Sequence, residues 1–391
     1  MNVLLISLDD SVLESEGPGD TRERHLLYAD TLSRFKDGST IHSVVLSKNR
    51  DLDRRYELNE NLVVYPTRSR HRLLFPKDAF RTGNKICNNN RIDLIVSQTP
   101  FDDGLVGLLL GELYDIPYFA ELRPSNLDDP KWLKEQYKNR IKRKVGKKIL
   151  PLADAIRVTN TTGRSYCVDK LGLEKDKIHL NYTPVSELID NNDINIDDQT
   201  DNMTILFIGR LVELKNVHNL IETVAMLQDT IPNIELVIVG DGPERQQLES
   251  HSQELGIEDM ITFTGVVDYD QIGQYYRSAT ITVLPSKRET FGRVIIESFY
   301  YATPVVATRT RGALEIINDG ETGILLDEDS PQAIAESLSK LYNDKNKIIN
   351  MGKQAKKFVS NQYNPETLAE ELVSAWLTVG YASNERCDIN K

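Results

Sequence analysis

The chain has 391 residues, enough for two domains, and its 40% apolar and 27% charged residues are those of a folded globular protein, which excludes collagen-like, low-complexity and wholly disordered classes. The net charge of −12 is unevenly spread: residues 1–190 hold 30 Lys/Arg against 28 Asp/Glu, and residues 191–391 hold 17 against 31. An acidic total argues against nucleic acid as a partner but leaves room for a local basic surface.

No run approaches the roughly 20 apolar residues of a membrane span; the longest, 104–113, is far shorter. Residues 1–8 lack the cationic start of a signal peptide and read as a buried strand, so a cytoplasmic protein is expected. Cys87, Cys167 and Cys387 form no CxxC pair, and reduced thiols are expected. The six histidines show no metal-ligand spacing, and no metal is expected.

In chain order, short apolar runs alternate with amphipathic segments. Strands are expected at 3–8, 42–46, 94–97, 118–121, 156–159 and 178–180, and a second set at 205–208, 235–239, 261–263, 281–284, 304–307 and 323–326. Runs that are continuously apolar, not alternating, fit strands covered on both faces, as in parallel sheets. Repeated strand–helix alternation predicts an α/β fold of two Rossmann-like, doubly wound domains facing a cleft. Residues 187–202 carry six acidic residues, four Asn and no base, which predicts a linker. The expected division is 1–186, linker 187–202, a second domain over 203–360, a helix over 361–380 packing back toward the first domain, and a tail over 381–391. Ser330-Pro331 and Asn364-Pro365 read as helix starts, and Gly380 as the end of the last helix.

Two segments of the first half are strongly basic. Residues 68–85 hold Arg68, Arg70, Arg72 and three further cations, with Phe75 among their apolar residues. Residues 131–148 hold nine cations, including Lys138, Lys142, Arg143 and Lys147, against one acid, with Trp132 nearby and Ile141, Val145 and Ile149 every four residues. Bases interleaved with aromatics fit an anionic membrane surface; a solvated helix face is the plain alternative. Asp128-Asp129 lacks the strand-end setting of a metal-binding acidic pair.

The second half carries the chemistry. Strand 205–208 leads into Gly209-Arg210, then Lys215 before a helix striped with Leu220, Val224 and Leu227. A strand end, two cations and a helix start together suit a pyrophosphate, although a surface loop would also carry such residues. Gly240-Asp241-Gly242-Pro243 follows the next strand; its small residues would let a ligand near the backbone, or simply make a tight turn. The third glycine of a dinucleotide fingerprint is missing, since Arg245 stands there. Residues 285–297 supply Glu289 before a helix expected from about Gly292, with Arg293 and Glu297 on one face. Carboxylates beside an anion site are reasonable if they accept hydrogen bonds from sugar hydroxyls.

Gly209-Arg210…Lys215, Gly240-Asp241-Gly242-Pro243, Phe263-x-Gly265 and Glu289-x7-Glu297, in this order, resemble the retaining glycosyltransferases of family 4, of GT-B fold. Residues 304–307, Gly312 and Gly320-x-x-Gly323 continue the likeness, which is dense over residues 204–344. The resemblance implies that Arg210 and Lys215 hold the donor diphosphate, Glu289 the transferred sugar and Glu297 the ribose. It also implies that Phe291, Gly292 and Arg293 face sugar and phosphates through their amides, and that Val267 lies near the base. Gly17 and Gly19 would stand in the glycine-rich loop that approaches the diphosphate, with Pro18 between them where the family has a glycine pair. Glu121 and Arg123 resemble a Glu-x-Arg variant handling acceptor or sugar, where many relatives have histidine; an ion pair at a strand end is the alternative.

The expectation is a hexosyltransferase using a nucleotide-sugar as substrate, with no cofactor. Its acceptor would be a polyprenyl- or dolichyl-phosphate-linked oligosaccharide or another cell-surface glycan precursor, as in protein N-glycan, S-layer or polysaccharide assembly. It would act at the inner face of the cell membrane. The alternatives are a soluble transferase with a small-molecule acceptor and a non-catalytic sugar-nucleotide-binding subunit.

Overall fold

A computed structural model describes residues 1–13, 21–49, 51–123, 126–185, 202–289 and 291–389, with the backbone alone for 131, 135 and 383–389. Gly17, Gly19 and nearly all of the expected linker lie outside the described residues. The chain divides into two compact units, one built from residues up to Pro184 together with Pro365–Lys391, the other essentially Val185–Asn364.

The first unit holds β1 (Asn2–Ser7), β2 (Thr40–Val45), β3 (Tyr56–Asn59), β4 (Leu62–Pro66), β5 (Leu94–Ser97), β6 (Tyr118–Leu122), β7 (Ala155–Val158) and β8 (Ile178–Leu180). They form one sheet in the order β3-β4-β2-β1-β5-β6-β7-β8, parallel except for β3 against β4. Along β1, Leu4 and Ile6 enter one core cluster, and Val3 and Leu5 the other. Both faces are therefore covered, which is why the run is apolar throughout. The β3–β4 hairpin was not expected. Its edge strand, Tyr56-Glu57-Leu58-Asn59, is polar and mostly half-buried, so it lacks the apolar run that marks the central strands.

The last helix, Pro365–Ile389, belongs to the first unit. Ala369, Leu372, Val373 and Trp376 are buried with Val3, Leu5, Tyr28 and Leu32, and Asn181 Nδ2 donates to the Leu368 carbonyl at 2.9 Å. Gly380 does not end this helix, contrary to its reading as a terminator. A Cβ there would lie 2.6 Å from the Met1 Cε, so the glycine serves a close approach to the chain start.

The second unit holds β9 (Met203–Ile208), β10 (Ile234–Val239), β11 (Ile261–Gly265), β12 (Ile281–Leu284), β13 (Val305–Thr308) and β14 (Gly323–Leu326). Their order is β11-β10-β9-β12-β13-β14, all parallel. Sequence order therefore runs outward from β9 on one side and from β12 on the other. Ligands of doubly wound sheets bind at this reversal, beyond the carboxyl ends of the strands. Ser330 caps helix Pro331–Tyr342 by accepting from the Ala333 amide. No helix of the described residues is long and apolar enough to cross a membrane.

Candidate active site

The loops beyond the carboxyl ends of the second sheet are joined by backbone hydrogen bonds that follow strand order. Gly240 N donates to Gly265 O at 2.8 Å, Gly209 N to Val239 O at 3.0 Å, Leu211 N to Asp241 O at 3.0 Å, Lys287 N to Leu214 O at 2.9 Å and Gly312 N to Glu289 O at 3.0 Å. This belt explains the glycines. A Cβ on Gly240 would sit 2.1 Å from Gly209 O, and one on Gly242 2.2 Å from Leu211 O. At these two positions the neighbouring loop is what a side chain would meet, which fits the tight-turn reading of the glycines. Gly312 likewise lies against the Phe291 backbone.

At the reversal point, Lys215 Nζ donates to Glu289 Oε2 at 2.6 Å. Lys215 ends a short 3-10 turn, Glu213–Lys215, closed by Asn216 in the left-handed region at φ 56°. Asn216 and Asn219 both donate to the Asp329 carbonyl, which anchors the turn. The Lys215 side chain passes over Gly209, whose Cβ position is 3.8 Å from Lys215 Cε, and the Cβ position of Gly292 is 3.6 Å from Glu289 Cγ. Gly209, Lys215, Glu289 and Gly292 thus form one cluster. Side chains of the ion pair are 23% and 21% exposed, so the pair is screened from bulk water yet reachable. Arg210 is exposed at the same strand end.

Gly292, at φ 80°, caps helix Arg293–Tyr300. One turn on, Arg293 Nη2 lies 3.3 Å from Glu297 Oε1, and buried Tyr276 donates to Glu297 Oε2 at 2.7 Å. Burial first, and then the Glu297 charge, push the Tyr276 phenol well above its ordinary range, so it stays a donor. Arg293 also lies over the Tyr269 ring, 5.9 Å from its centroid. Val267 and Phe291 are half-buried, and Val267 stands two residues before Tyr269. Tyr269 and Tyr276 were not anticipated. Their only sequence signal is their place in the segment after β11, seven positions apart, which pattern alone does not distinguish from core packing.

In the first unit Glu121 and Arg123 stand at the end of β6. Arg157 Nη1 donates to Glu121 Oε1 at 2.9 Å, and Arg123 Nε lies 3.6 Å from Oε2. Arg157 is buried and also donates to the Asn181 and Tyr182 carbonyls. Burial would raise the Glu121 carboxyl, but the guanidinium groups of Arg157 and Arg123 outweigh it and hold it below the usual range. Beside it runs a buried polar chain: Ser7 Oγ to Gln98 Oε1 at 2.8 Å, Gln98 Nε2 to His25 Nε2 at 3.0 Å, and His25 Nδ1 to Thr21 O at 2.7 Å. Asp103, held by the Thr99 amide and hydroxyl, is pushed up to about 7 by burial.

Residues 189–358 match the family described as Glycosyl transferases group 1. The matched residues lie in the second unit, which is thus similar to group 1 glycosyl transferases. The lipopolysaccharide core biosynthesis glycosyltransferase LpsE of Rhizobium meliloti is 28% identical over 214 residues, 54% of this chain and 61% of that one. The alignment thus spans less than two thirds of this relative's length. Among solved structures, sucrose-phosphate synthase of Thermosynechococcus elongatus, 19% identical, matches 98% of this chain and 100% of its own with a TM-score of 0.80. Anabaena HepE in complex with UDP and glucose, 19% identical, matches 97% and 100% with a TM-score of 0.70. These likenesses are of fold, two Rossmann-like α/β units in one chain, the GT-B architecture.

In the first unit, the expected membrane-facing residues divide. Phe75 is fully buried, packed in the first unit's core as the start of helix Phe75–Asn89, and is not a surface residue. Trp132 stacks on Phe101 at 6.1 Å and packs against the same core. Arg143 and Lys147 turn to Asp128, at 2.5 and 2.7 Å, and Lys142 lies 5.5 Å over the Phe101 ring. Arg68 is half-buried. Arg70, Arg72 and Lys138 are exposed, near protruding apolar side chains: Leu73 at 80%, Tyr137 at 77% and Ile141 at 56%. Among the described residues no group of three His, Cys, Asp or Glu side chains could hold a metal ion. Burial pushes the Cys87 thiol up to about 11 and that of Cys167 to about 12, which keeps both protonated.

Proposed function

We propose that the chain is a retaining glycosyltransferase of family 4 that transfers a hexose from a nucleotide-sugar to a lipid-linked oligosaccharide or a related cell-surface glycan precursor. The observation that carries this reading is the Lys215–Glu289 pair at the strand-order reversal of a unit similar to group 1 glycosyl transferases. A nucleotide-sugar presents its β-phosphate and its sugar hydroxyls side by side, and a cation 2.6 Å from a carboxylate matches that juxtaposition. Lys215 and exposed Arg210 would take the phosphates, while Glu289 would accept hydrogen bonds from the hexose. Arg293 and Glu297, one turn along the helix, would take the ribose end, with Val267 near the base and the amides after Phe291 toward the phosphates.

In the reaction the anomeric carbon–oxygen bond to the diphosphate breaks. The acceptor oxygen bonds to that carbon on the same face, and the acceptor proton leaves with the diphosphate. Negative charge grows on the departing group, so fixed cations stabilise the transition state more than the ground state. No metal is required when Arg210, Lys215 and the helix start carry that charge. LpsE, named for lipopolysaccharide core biosynthesis, and HepE, solved with UDP and glucose, support a UDP-hexose donor and a glycan acceptor. The exposed Arg70, Arg72 and Lys138 with Leu73, Tyr137 and Ile141 support an inner-membrane face as the workplace. Glu121 and Arg123 would stand on the acceptor side.

The test is turnover with UDP-, GDP- and dTDP-hexoses, read as hydrolysis or as transfer to membrane lipid extract. One donor is expected to be consumed with its anomeric configuration kept in the product. An inverted product, or no turnover of any donor, would refute the proposal.

A further inference from the structure

A cavity of about 770 Å³ opens in the first unit, between the face of helix Phe75–Asn89 and strands β2 and β4. It is remote in sequence from every residue given a role in transfer. Arg54, Arg55, Arg68, Arg81 and Lys85 line it, against the single carboxylate of Asp78. Ser69 Oγ donates to that carboxylate at 2.9 Å. Arg55 is engaged by Glu57 at 2.5 Å, whereas Arg54, Arg81 and Lys85 make no ion pair among the described residues. Unpaired cations sharing one concave surface repel each other, and a bound anion relieves that repulsion.

The rest of the lining narrows the anion. Thr67, Thr82, Asn89 and Asn90 add neutral donors and acceptors. His42 and Tyr65 set two rings 6.0 Å apart, tilted by 34°, and the His42 imidazole is held neutral, pushed down to about 4 by burial and then by Arg55. His42 is buried and hydrogen-bonded to the Tyr65 hydroxyl at 3.2 Å, so the half-buried Tyr65 ring with the hydroxyl and amide groups beside it is what suits a pyranose ring, and the volume far exceeds that of a single phosphate. A lipid surface is the poorer fit: the site is concave, and the protruding Leu73, Tyr137 and Ile141 do not line it.

We propose that this cavity binds an anionic saccharide, a short glycan carrying carboxylate or phosphate groups. The test is calorimetric titration of the full chain with tetragalacturonate, with phosphopentamannose and with neutral maltotetraose. At least one acidic oligosaccharide is expected to bind, more weakly at high salt, and maltotetraose not to; which acidic one binds tells the carboxylate source from the phosphate source. The double variant Arg81→Gln/Lys85→Gln is expected to lose affinity tenfold or more at an unchanged melting temperature. If that variant is poorly folded, exposed Arg54→Gln replaces it, with a severalfold loss expected. The proposal is overturned if neither acidic oligosaccharide binds or if the folded variants bind as wild type does. It is equally overturned if inorganic diphosphate binds as tightly as the saccharides, or if only vesicles of anionic phospholipid bind. None of these outcomes depends on donor turnover, so the transferase reading stands or falls separately.

Discussion

At the scale of single residues, the proposed chemistry rests on the Lys215–Glu289 pair. Replacing Lys215 or Arg210 by Ala is expected to lower kcat by roughly 100–1000-fold, the usual loss when one preorganised charge partner of a leaving group is removed. Since the loss falls in the transition state, kcat and kcat/KM should drop together; a rise in KM alone would show that these cations only hold the ground state. His25 gives a prediction on stability. Burial, and then the neighbouring Arg24 charge, push its imidazole down to about 4, below the ordinary ~6.5 of an unfolded chain. The unfolded state therefore takes up the proton first as pH falls. Stability is complete above about 6.5 and declines toward pH 4, by on the order of 3 kcal/mol at most from this group. Thermal unfolding from pH 7 to 4 should show a shallower acid decline in His25→Gln than in the wild type, and parallel curves would exclude His25 as the cause.

At the scale of elements, the belt of loop hydrogen bonds makes the site a property of five strand ends acting together. Gly242→Ala tests this. The new methyl would stand 2.2 Å from the Leu211 carbonyl and force the loop before Lys215 to move. Overpacking of this kind costs roughly 1–3 kcal/mol, and donor affinity, read by titration with UDP, should fall more than the melting temperature alone would suggest. Wild-type UDP affinity would mean that the two loops are independent. The last helix gives a second element-scale test, because Trp376 is fully buried against Tyr28 at 5.8 Å. Trp376→Ala is expected to cost roughly 3–5 kcal/mol, measured by denaturant unfolding. A loss below 1 kcal/mol would mean that helix Pro365–Ile389 contributes little to the first unit.

At the scale of the whole molecule, charge separates the two halves: the bases that the acidic total conceals gather in the first unit. With the exposed Leu73, Tyr137 and Ile141 among them, the chain is expected to co-float with vesicles rich in anionic lipid at low salt and to be released at high salt, each Lys or Arg near the surface contributing about 1 kcal/mol. Binding that ignores salt, or no binding at low salt, would remove the membrane from the proposal. Much of this organisation was readable from the chain. Continuous apolar runs marked twelve of the fourteen strands of the described residues, and Arg210, Lys215, Glu289 and Glu297 stood out by order and spacing. The buried run Leu62–Pro66, β4, carries the same apolar signal as the central strands and was missed, whereas the edge strand β3 was not readable, because a half-solvated strand need not be apolar. Nor was the fate of Phe75, because a ring between charges has the same sequence whether its face of the helix meets lipid or core.

Local pattern determined which segments are strands, where the helices start and which charged residues follow which strand, because periodicity, capping and strand-end loops are written in neighbouring residues. Contacts between distant residues were decided only by folding. Lys215 meets Glu289 across 74 positions, Tyr276 donates to Glu297, and Gly240 and Gly242 face a neighbouring loop. The strand order that sets β9 beside β12 brings the first of these together, and strand order is settled by the packing of the whole sheet, of which no local stretch carries a record.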